Sequence, residues 1–188
     1  MKNRGVPAIV FPEAETIEIR EVPLPPLGDQ DLLVRTHLTA VSIGTELMVL
    51  RGTFPNQGFP CVVGYQQVGR VEEAGPEVKA IAVGDRVVTS GARIPAGYHS
   101  GCGMGHAGHL VVPESACAVV PDCVPDDTAV YAIMAAVGLL GYQKCGHLRG
   151  STVAVTGQGL IGQFAAQIWR SNGNRVYASD LRKLRAEL

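Results

Sequence analysis

The sequence predicts a mixed fold, a partly open β barrel over residues 1–121 followed by the first part of an α/β domain over residues 122–188. Up to about Pro121 the text is a series of short strand-like segments, poor in aromatics and bounded by Gly, Pro or Asp. After Val120 it changes to Ala-rich helix, short apolar strand, helix and strand, the alternation of a parallel α/β sheet. The chain has 188 residues, 46% apolar and 18% charged. At roughly 150 residues per domain that is one large domain or one and part of another, with enough apolar text to bury a core.

Residues 16–22 read T-I-E-I-R-E-V, a period-2 strand with Ile17, Ile19 and Glu21 on one face, ended by Pro23, Pro25 and Pro26. Similar strands are expected at 31–38, 69–73, 85–89 and 109–112. Pro125-Asp126-Asp127-Thr128 starts a helix, with acids where the N-terminal dipole favours them, and Ala-rich text carries it to Lys144 before Gly146 offers a stop. Residues 152–156 (T-V-A-V-T) form a buried strand. Residues 160–171 form a helix whose Ile161, Ala165, Ile168 and Trp169 make one apolar face. Residues 175–179 (R-V-Y-A-S) are a second strand, and a further helix opens at Leu181.

Lys plus Arg number 16 and Asp plus Glu 17, a net charge of −1, which offers no field for a nucleic-acid backbone. The longest stretch without a charge or strong polar group, residues 129–142, falls short of the roughly 18 to 20 residues of a spanning helix. Behind Lys2 and Arg4 the first apolar run covers only residues 8–11, too short for a secretory signal, so the expected setting is cytoplasmic. Cys61, Cys102, Cys117, Cys123 and Cys145 form an odd set with no C-x-x-C pair, which reads as free, mostly buried thiols.

Gly157-Gln158-Gly159-Leu160-Ile161-Gly162 fits G-x-G-x-x-G directly after a strand and at the opening of a helix. The first glycine permits the tight turn, Gly159 lets backbone approach a pyrophosphate, and Gly162 lets helix and strand pack closely. Free N–H groups at the helix start receive the phosphate charge. Asp180, at the end of the next strand, is placed to accept hydrogen bonds from ribose hydroxyls and repel a 2′-phosphate, which favours NAD. Arg182, Lys183 and Arg185 pull toward NADP. The other reading is an ordinary Gly-rich turn with Asp180 capping the next helix.

These motifs, together with A-V-S-I-G-T-E at 40–46, Pro60 followed by G-Y-Q-Q-V-G-R-V at 64–71, G-D-R-V at 84–87 and L-R-G at 148–150, resemble the medium-chain dehydrogenase/reductase superfamily. The resemblance covers essentially the whole chain. It implies a GroES-like barrel first and a Rossmann dinucleotide domain after it, acting on a small-molecule substrate as a homo-oligomer when full length, with neither nucleic-acid nor membrane partners. Zinc alcohol dehydrogenases of that superfamily hold a catalytic metal by Cys in a G-I-C-G-T-D-like segment, His in G-H-E, and a third Cys or acid. Here Ile43, Tyr65 and Ala136 stand at those positions, and only a deprotonated tyrosine among them is a zinc ligand. The four-cysteine structural lobe is also missing. The resemblance therefore points to a zinc-independent branch.

Without a metal, another group must polarise the substrate oxygen or supply its proton. Thr45 matches the relay hydroxyl of the zinc enzymes and Tyr65 stands where a metal ligand would face the carbonyl, with Glu46 and Gln66 adjacent. The plain alternative makes Thr45 and Glu46 the cap of a helix through Leu47, Met48 and Leu50, and Tyr65 barrel packing. His99, Cys102, His106 and His109 in a Gly-rich loop suggest a local metal site, a substrate loop or simple packing.

A complete doubly wound domain has six strands and this text supplies two, so the expectation is a C-terminally truncated chain, inactive alone. Two function classes remain open. One is an NAD(P)-dependent, zinc-independent oxidoreductase moving hydride between nicotinamide and an alcohol, carbonyl or activated double bond; the other is a non-catalytic dinucleotide-binding or structural relative.

Overall fold

The computed structural model describes residues 5–186. It divides into two compact units between Val130 and Tyr131. The first contains β1 (Gly5–Phe11), β2 (Glu18–Pro23), β3 (Asp31–Thr39), α1 (Ile43–Leu50), β4 (Cys61–Val63), β5 (Gln67–Ala74), β6 (Arg86–Thr89), β7 (His99–Gly101), β8 (His109–Pro113), β9 (Cys117–Val119) and α2 (Asp126–Ala129). One sheet has the order β2-β1-β4-β7 and the other β8-β3-β5-β6-β9. Pairing is antiparallel except between β4 and β7.

Residues 106–108 join the two sheets. Ile9 N donates to His106 O at 2.9 Å and Gly108 N to Pro7 O at 2.9 Å, while Thr36 N donates to Gly108 O at 3.0 Å. The result is the partly open barrel expected from the sequence, with Val6, Val10, Leu32, Val34, Leu110 and Val112 in its core. Strand β1 shows how the pattern fills it: Val6, Ala8 and Val10 point inward at period 2.

On β2 Ile19 takes the other face. Residues paired across an antiparallel ladder share a face, and Val6 pairs with Val22 and Ala8 with Arg20. Val22 is therefore in the core and Ile19 is 79% exposed. The helix expected over 125–144 is broken in two. Asp126 accepts from Arg86 Nη1 at 2.9 Å and lies 3.1 Å from His37 Nδ1, which ties α2 to the barrel unit. The compact units thus divide later than the 121/122 boundary read from the sequence.

The second unit contains α3 (Ala132–Lys144), β10 (Thr152–Thr156), α4 (Leu160–Ser171), β11 (Arg175–Ser179) and α5 (Lys183–Ala186). Strands β10 and β11 pair in parallel, Thr152 with Arg175 through Thr156 with Ser179, the start of a Rossmann sheet. Gly138 lets α3 approach α4: a Cβ there would sit 3.0 Å from Ala165 N. Tyr142 meets Trp169 edge to face at 4.9 Å. Asn174 ties the loops, donating to Leu148 O and Trp169 O and accepting from Ser151 N.

Because Leu32 is fully buried between β5 and β8, Leu32→Ala is expected to lower unfolding free energy by about 2–5 kcal/mol in guanidinium titrations. Ile19→Ala, on the exposed face, should change it by less than about 0.5 kcal/mol. Comparable losses at both positions would contradict the facing described for β2.

Candidate functional site

Two groups of residues carry chemistry, one in each unit. In the barrel unit the site is built at the start of α1. Its N-cap residue is Ser42, but the Ser42 hydroxyl makes no capping bond. It accepts instead from Tyr65 Oη at 2.7 Å. The cap is supplied in reverse by Glu46, whose Oε1 accepts from Ser42 N at 2.8 Å, the return bond of a capping box made from one position further along the helix. The other Glu46 oxygen lies 2.9 Å from His106 Nε2, and His106 Nδ1 lies 2.8 Å from Thr39 Oγ1. Tyr65, Ser42, Glu46, His106 and Thr39 therefore form one connected polar chain.

Tyr65 and Glu46 are brought together through Ser42, which sequence reading did not single out. Thr45 is half-buried and its hydroxyl makes no hydrogen bond among the described residues. Gln66 is fully buried; its Nε2 donates to Ala40 O at 3.4 Å and its Oε1 has no partner among the described residues. It takes no part in the chain.

Beside α1 lies a cavity of about 270 Å³. Ile9 and Phe11 of β1, Val63 of β4, and Leu47 and Leu50 of α1 wall it in hydrocarbon, with Val41 and Ile43 at its side. Among the described residues, Glu46 and His106 are its only polar lining.

The histidines and cysteine of the Gly-rich loop are dispersed. His106 is bonded as described, His109 lies 3.2 Å from Glu72, and His99 is exposed. Among the described residues no group of three or more His, Cys, Asp or Glu is arranged to hold a metal ion.

In the second unit the Gly157 turn follows β10 and opens α4, with Gly159 as its N-cap. Gly157 has φ +88° and donates to Ser179 O at 2.7 Å, so the turn needs glycine here. A Cβ at Gly162 would collide with Gly157 O, whereas a Cβ at Gly159 would meet nothing within 4 Å. The turn is closed on its inner side and open at Gly159, where first-turn N–H groups lack intrahelical acceptors. This cradle fits a pyrophosphate. Leu160 and Ile161 are exposed at the helix start. The Gln158 side chain turns inward to Val155 O at 2.9 Å.

Asp180 organises the backbone around it, and its ribose role is not seen in these bonds. Its Oδ1 accepts from Arg182 N at 2.7 Å, closing a turn just ahead of α5, and its Oδ2 accepts from Gln158 N at 2.7 Å, tying the Gly-rich turn to the end of β11. The bond from Arg182 N, then that from Gln158 N, holds its carboxyl below the usual range. Each oxygen keeps a second lone pair for a ribose hydroxyl.

The alcohol dehydrogenase GroES-like domain family matches residues 28–122. The chain is 34% identical to the L-threonine 3-dehydrogenase of Aeromonas hydrophila, over 92% of this chain and 56% of that protein. It is 32% identical to the Escherichia coli K12 enzyme of the same name, over 93% and 57%. It thus spans slightly more than half the length of these curated relatives. Among solved structures, the alcohol dehydrogenase of Thermus sp. ATN1 superposes with TM-score 0.82 at 27% identity, over 96% of this chain and 60% of that one. A dehydrogenase of Sinorhizobium meliloti 1021, assigned as zinc-binding and solved with NADP, superposes with TM-score 0.83 at 25% identity, over 96% and 58%.

Of the five cysteines, expected from the sequence to be mostly buried, only Cys61 is buried, Cys102 and Cys117 are half-buried, and Cys123 and Cys145 are exposed. Burial pushes the Cys61 thiol up; burial, with Glu46 nearby, pushes Cys102 up to about 11, and burial, with Glu114, pushes Cys117 up to about 12. At pH 8 iodoacetamide should therefore alkylate the exposed Cys123 and Cys145 first, the other three reacting only on unfolding. Peptide mass spectrometry over a time course reads this, and Cys102 labelling as fast as Cys123 would contradict it.

Proposed function

The chain belongs to the alcohol dehydrogenase GroES-like family of the medium-chain dehydrogenase/reductase superfamily, and from that premise we propose that the protein is an NAD(P)-dependent, zinc-independent oxidoreductase. Its reaction is hydride transfer between nicotinamide and an alcohol, a carbonyl or an activated double bond of a small molecule. The observation that carries the reading is the Gly157 turn, open at Gly159 and tied by Asp180 to the end of β11. Cytoplasmic location, homo-oligomeric assembly and the absence of nucleic-acid or membrane partners belong to the same proposal. The absence of any described helix long and apolar enough to cross a membrane is compatible with it.

Zinc does not fit the donor set. Ile43 offers hydrocarbon and is 68% exposed, Ala136 on α3 offers no donor atom, and Tyr65 already donates to Ser42. The hydroxyl pair takes over the metal's task. Two O–H groups joined by one hydrogen bond spend one hydrogen between them, so one O–H stays available for a substrate oxygen. A bound nicotinamide cofactor supplies the hydride. During carbonyl reduction the hydroxyl pair donates its proton to the oxygen, where negative charge grows. Glu46 holds Ser42 by its backbone N–H and so fixes where that pair stands. The first-turn N–H groups of α4 bind the cofactor phosphates, and Asp180 receives a ribose hydroxyl.

In the full-length protein Tyr65→Phe should lower turnover roughly 10²-fold or more while leaving cofactor affinity nearly unchanged, because the cofactor turn lies in the other unit. Thr45→Val tests the competing hydroxyl. Near-normal turnover in Tyr65→Phe with loss in Thr45→Val would move the proton path to Thr45, and about one zinc per chain by elemental analysis would overturn zinc independence.

Cofactor choice is read separately, by fluorescence titration with NADH and NADPH. Asp180 should make NADH the tighter ligand, although the Sinorhizobium relative was solved with NADP. Equal or tighter binding of NADPH would show that Arg182 and its basic neighbours dominate.

A further inference from the structure

His106 is buried, titratable and unused by the proton step proposed above. Carboxylate oxygens only accept, so the hydrogen of its contact with Glu46 sits on His106 Nε2, which donates to Glu46 Oε2 at 2.9 Å. With one hydrogen on the ring, Nδ1 is an acceptor. It takes the Thr39 hydroxyl at 2.8 Å, that hydroxyl's only partner among the described residues. The ring is thus held at both nitrogens. Its main chain is held as well, His106 N donating to Val63 O at 3.1 Å and His106 O accepting from Ile9 N at 2.9 Å.

This fixed ring lies between the two segments that carry the hydroxyl pair. Toward α1 it holds Glu46, whose other oxygen accepts from Ser42 N. Toward β4 it packs over Gly64, the residue before Tyr65, where a Cβ would lie 2.7 Å from His106 Cδ2 and 2.8 Å from His106 N. Ser42 and Tyr65 are 23 residues apart in the chain, and their 2.7 Å bond is the only one either hydroxyl makes among the described residues. We infer that His106, oriented by Thr39, is a positioning residue that sets the Tyr65–Ser42 hydroxyl pair, acting through Glu46 and Gly64 rather than on the reacting atoms. Its weight in turnover rests on the oxidoreductase proposal; its placing of the pair does not.

The test compares His106→Gln with His106→Asn in the full-length protein. A Gln amide reaches where Nε2 stands and still donates to Glu46. An Asn amide reaches only to Nδ1 and leaves Glu46 Oε2 without its donor. Two NMR signals read the pair without cofactor, the backbone amide of Ser42 and the Tyr65 ring carbon that bears the hydroxyl. His106→Asn should shift both and lower turnover about tenfold or more, followed as NADH oxidation with benzaldehyde and cyclohexenone, at unchanged KM for NADH. His106→Gln should leave both signals in place and hold turnover within about threefold of the unaltered chain. Thr39→Val keeps the volume, removes the hydroxyl and should shift the same signals, whereas Thr39→Ser should not; this second pair decides the matter if His106→Asn does not fold. Equal behaviour of the Gln and Asn variants, or unmoved Ser42 and Tyr65 signals in His106→Asn and Thr39→Val, would overturn the assignment. The expected shifts in a protein that transfers no hydride would keep the positioning role of His106 and remove the oxidoreductase proposal.

Discussion

The barrel unit depends on three residues, His106, Ala107 and Gly108, that belong to neither sheet and hold both. Their backbone reaches β1 through Ile9 and Pro7, β3 through Thr36 and β4 through Val63, whose carbonyl accepts from His106 N at 3.1 Å. Such a segment leaves little room for side chains, and glycine precedes it at Gly105 and ends it at Gly108. A Cβ at Gly105 would lie 3.0 Å from the Gly64 backbone. The same segment delivers the His106 ring to Glu46 and Thr39. Sheet closure and the polar chain at α1 are therefore one constraint seen twice, and a shift that opened the barrel would also release the residue that steadies Ser42.

Carboxylates serve as local ties throughout. Glu114 Oε1 accepts the N–H groups of Lys79, Ala80 and Ile81, and the bond from Ala80 leads in holding its carboxyl low. Asp31 accepts from Gly28 N and from Arg93. Burial alone would raise the Asp126 carboxyl, but His37 and Arg86 outweigh it and hold it low. Glu46 and Asp180 fit this pattern. Both have the residue type expected of acid–base or ribose chemistry, and both organise backbone. The two roles are compatible because a carboxylate has more lone pairs than either turn consumes.

How much of this was legible in the sequence follows the range of the forces involved. Strands β10 and β11 and helix α4 end where their residues suggest, because Gly157, Gly173 and the apolar spacing act locally. Strands β4 and β7 have three residues each, too few to show a period, and are made by pairing across the fold. In β1 Pro7 interrupts an otherwise readable alternation. The break after α2 is hidden in the sequence because helix-forming text runs through it, with no Gly or Pro between Thr128 and Met134, while the contacts of Asp126 with Arg86 and His37, which hold α2 in the barrel unit, join residues far apart in the chain. At the site, Tyr65, Glu46 and Thr45 were visible as residue types. Ser42 was not, although S-x-x-x-E spacing in front of a helix hints at its cap. The Glu46–His106 contact joins residues 60 apart, and only tertiary pairing places it.

Cys123 lies in the barrel unit and Cys145 at the end of α3 in the other. Each compact unit thus carries a single exposed cysteine among its described residues, remote in sequence from Tyr65 and from the Gly157 turn. The molecule comes supplied with a matched pair of attachment points for spin labels or fluorophores. Distances between such probes would follow how the two halves arrange themselves as ligands arrive, with no residue replaced.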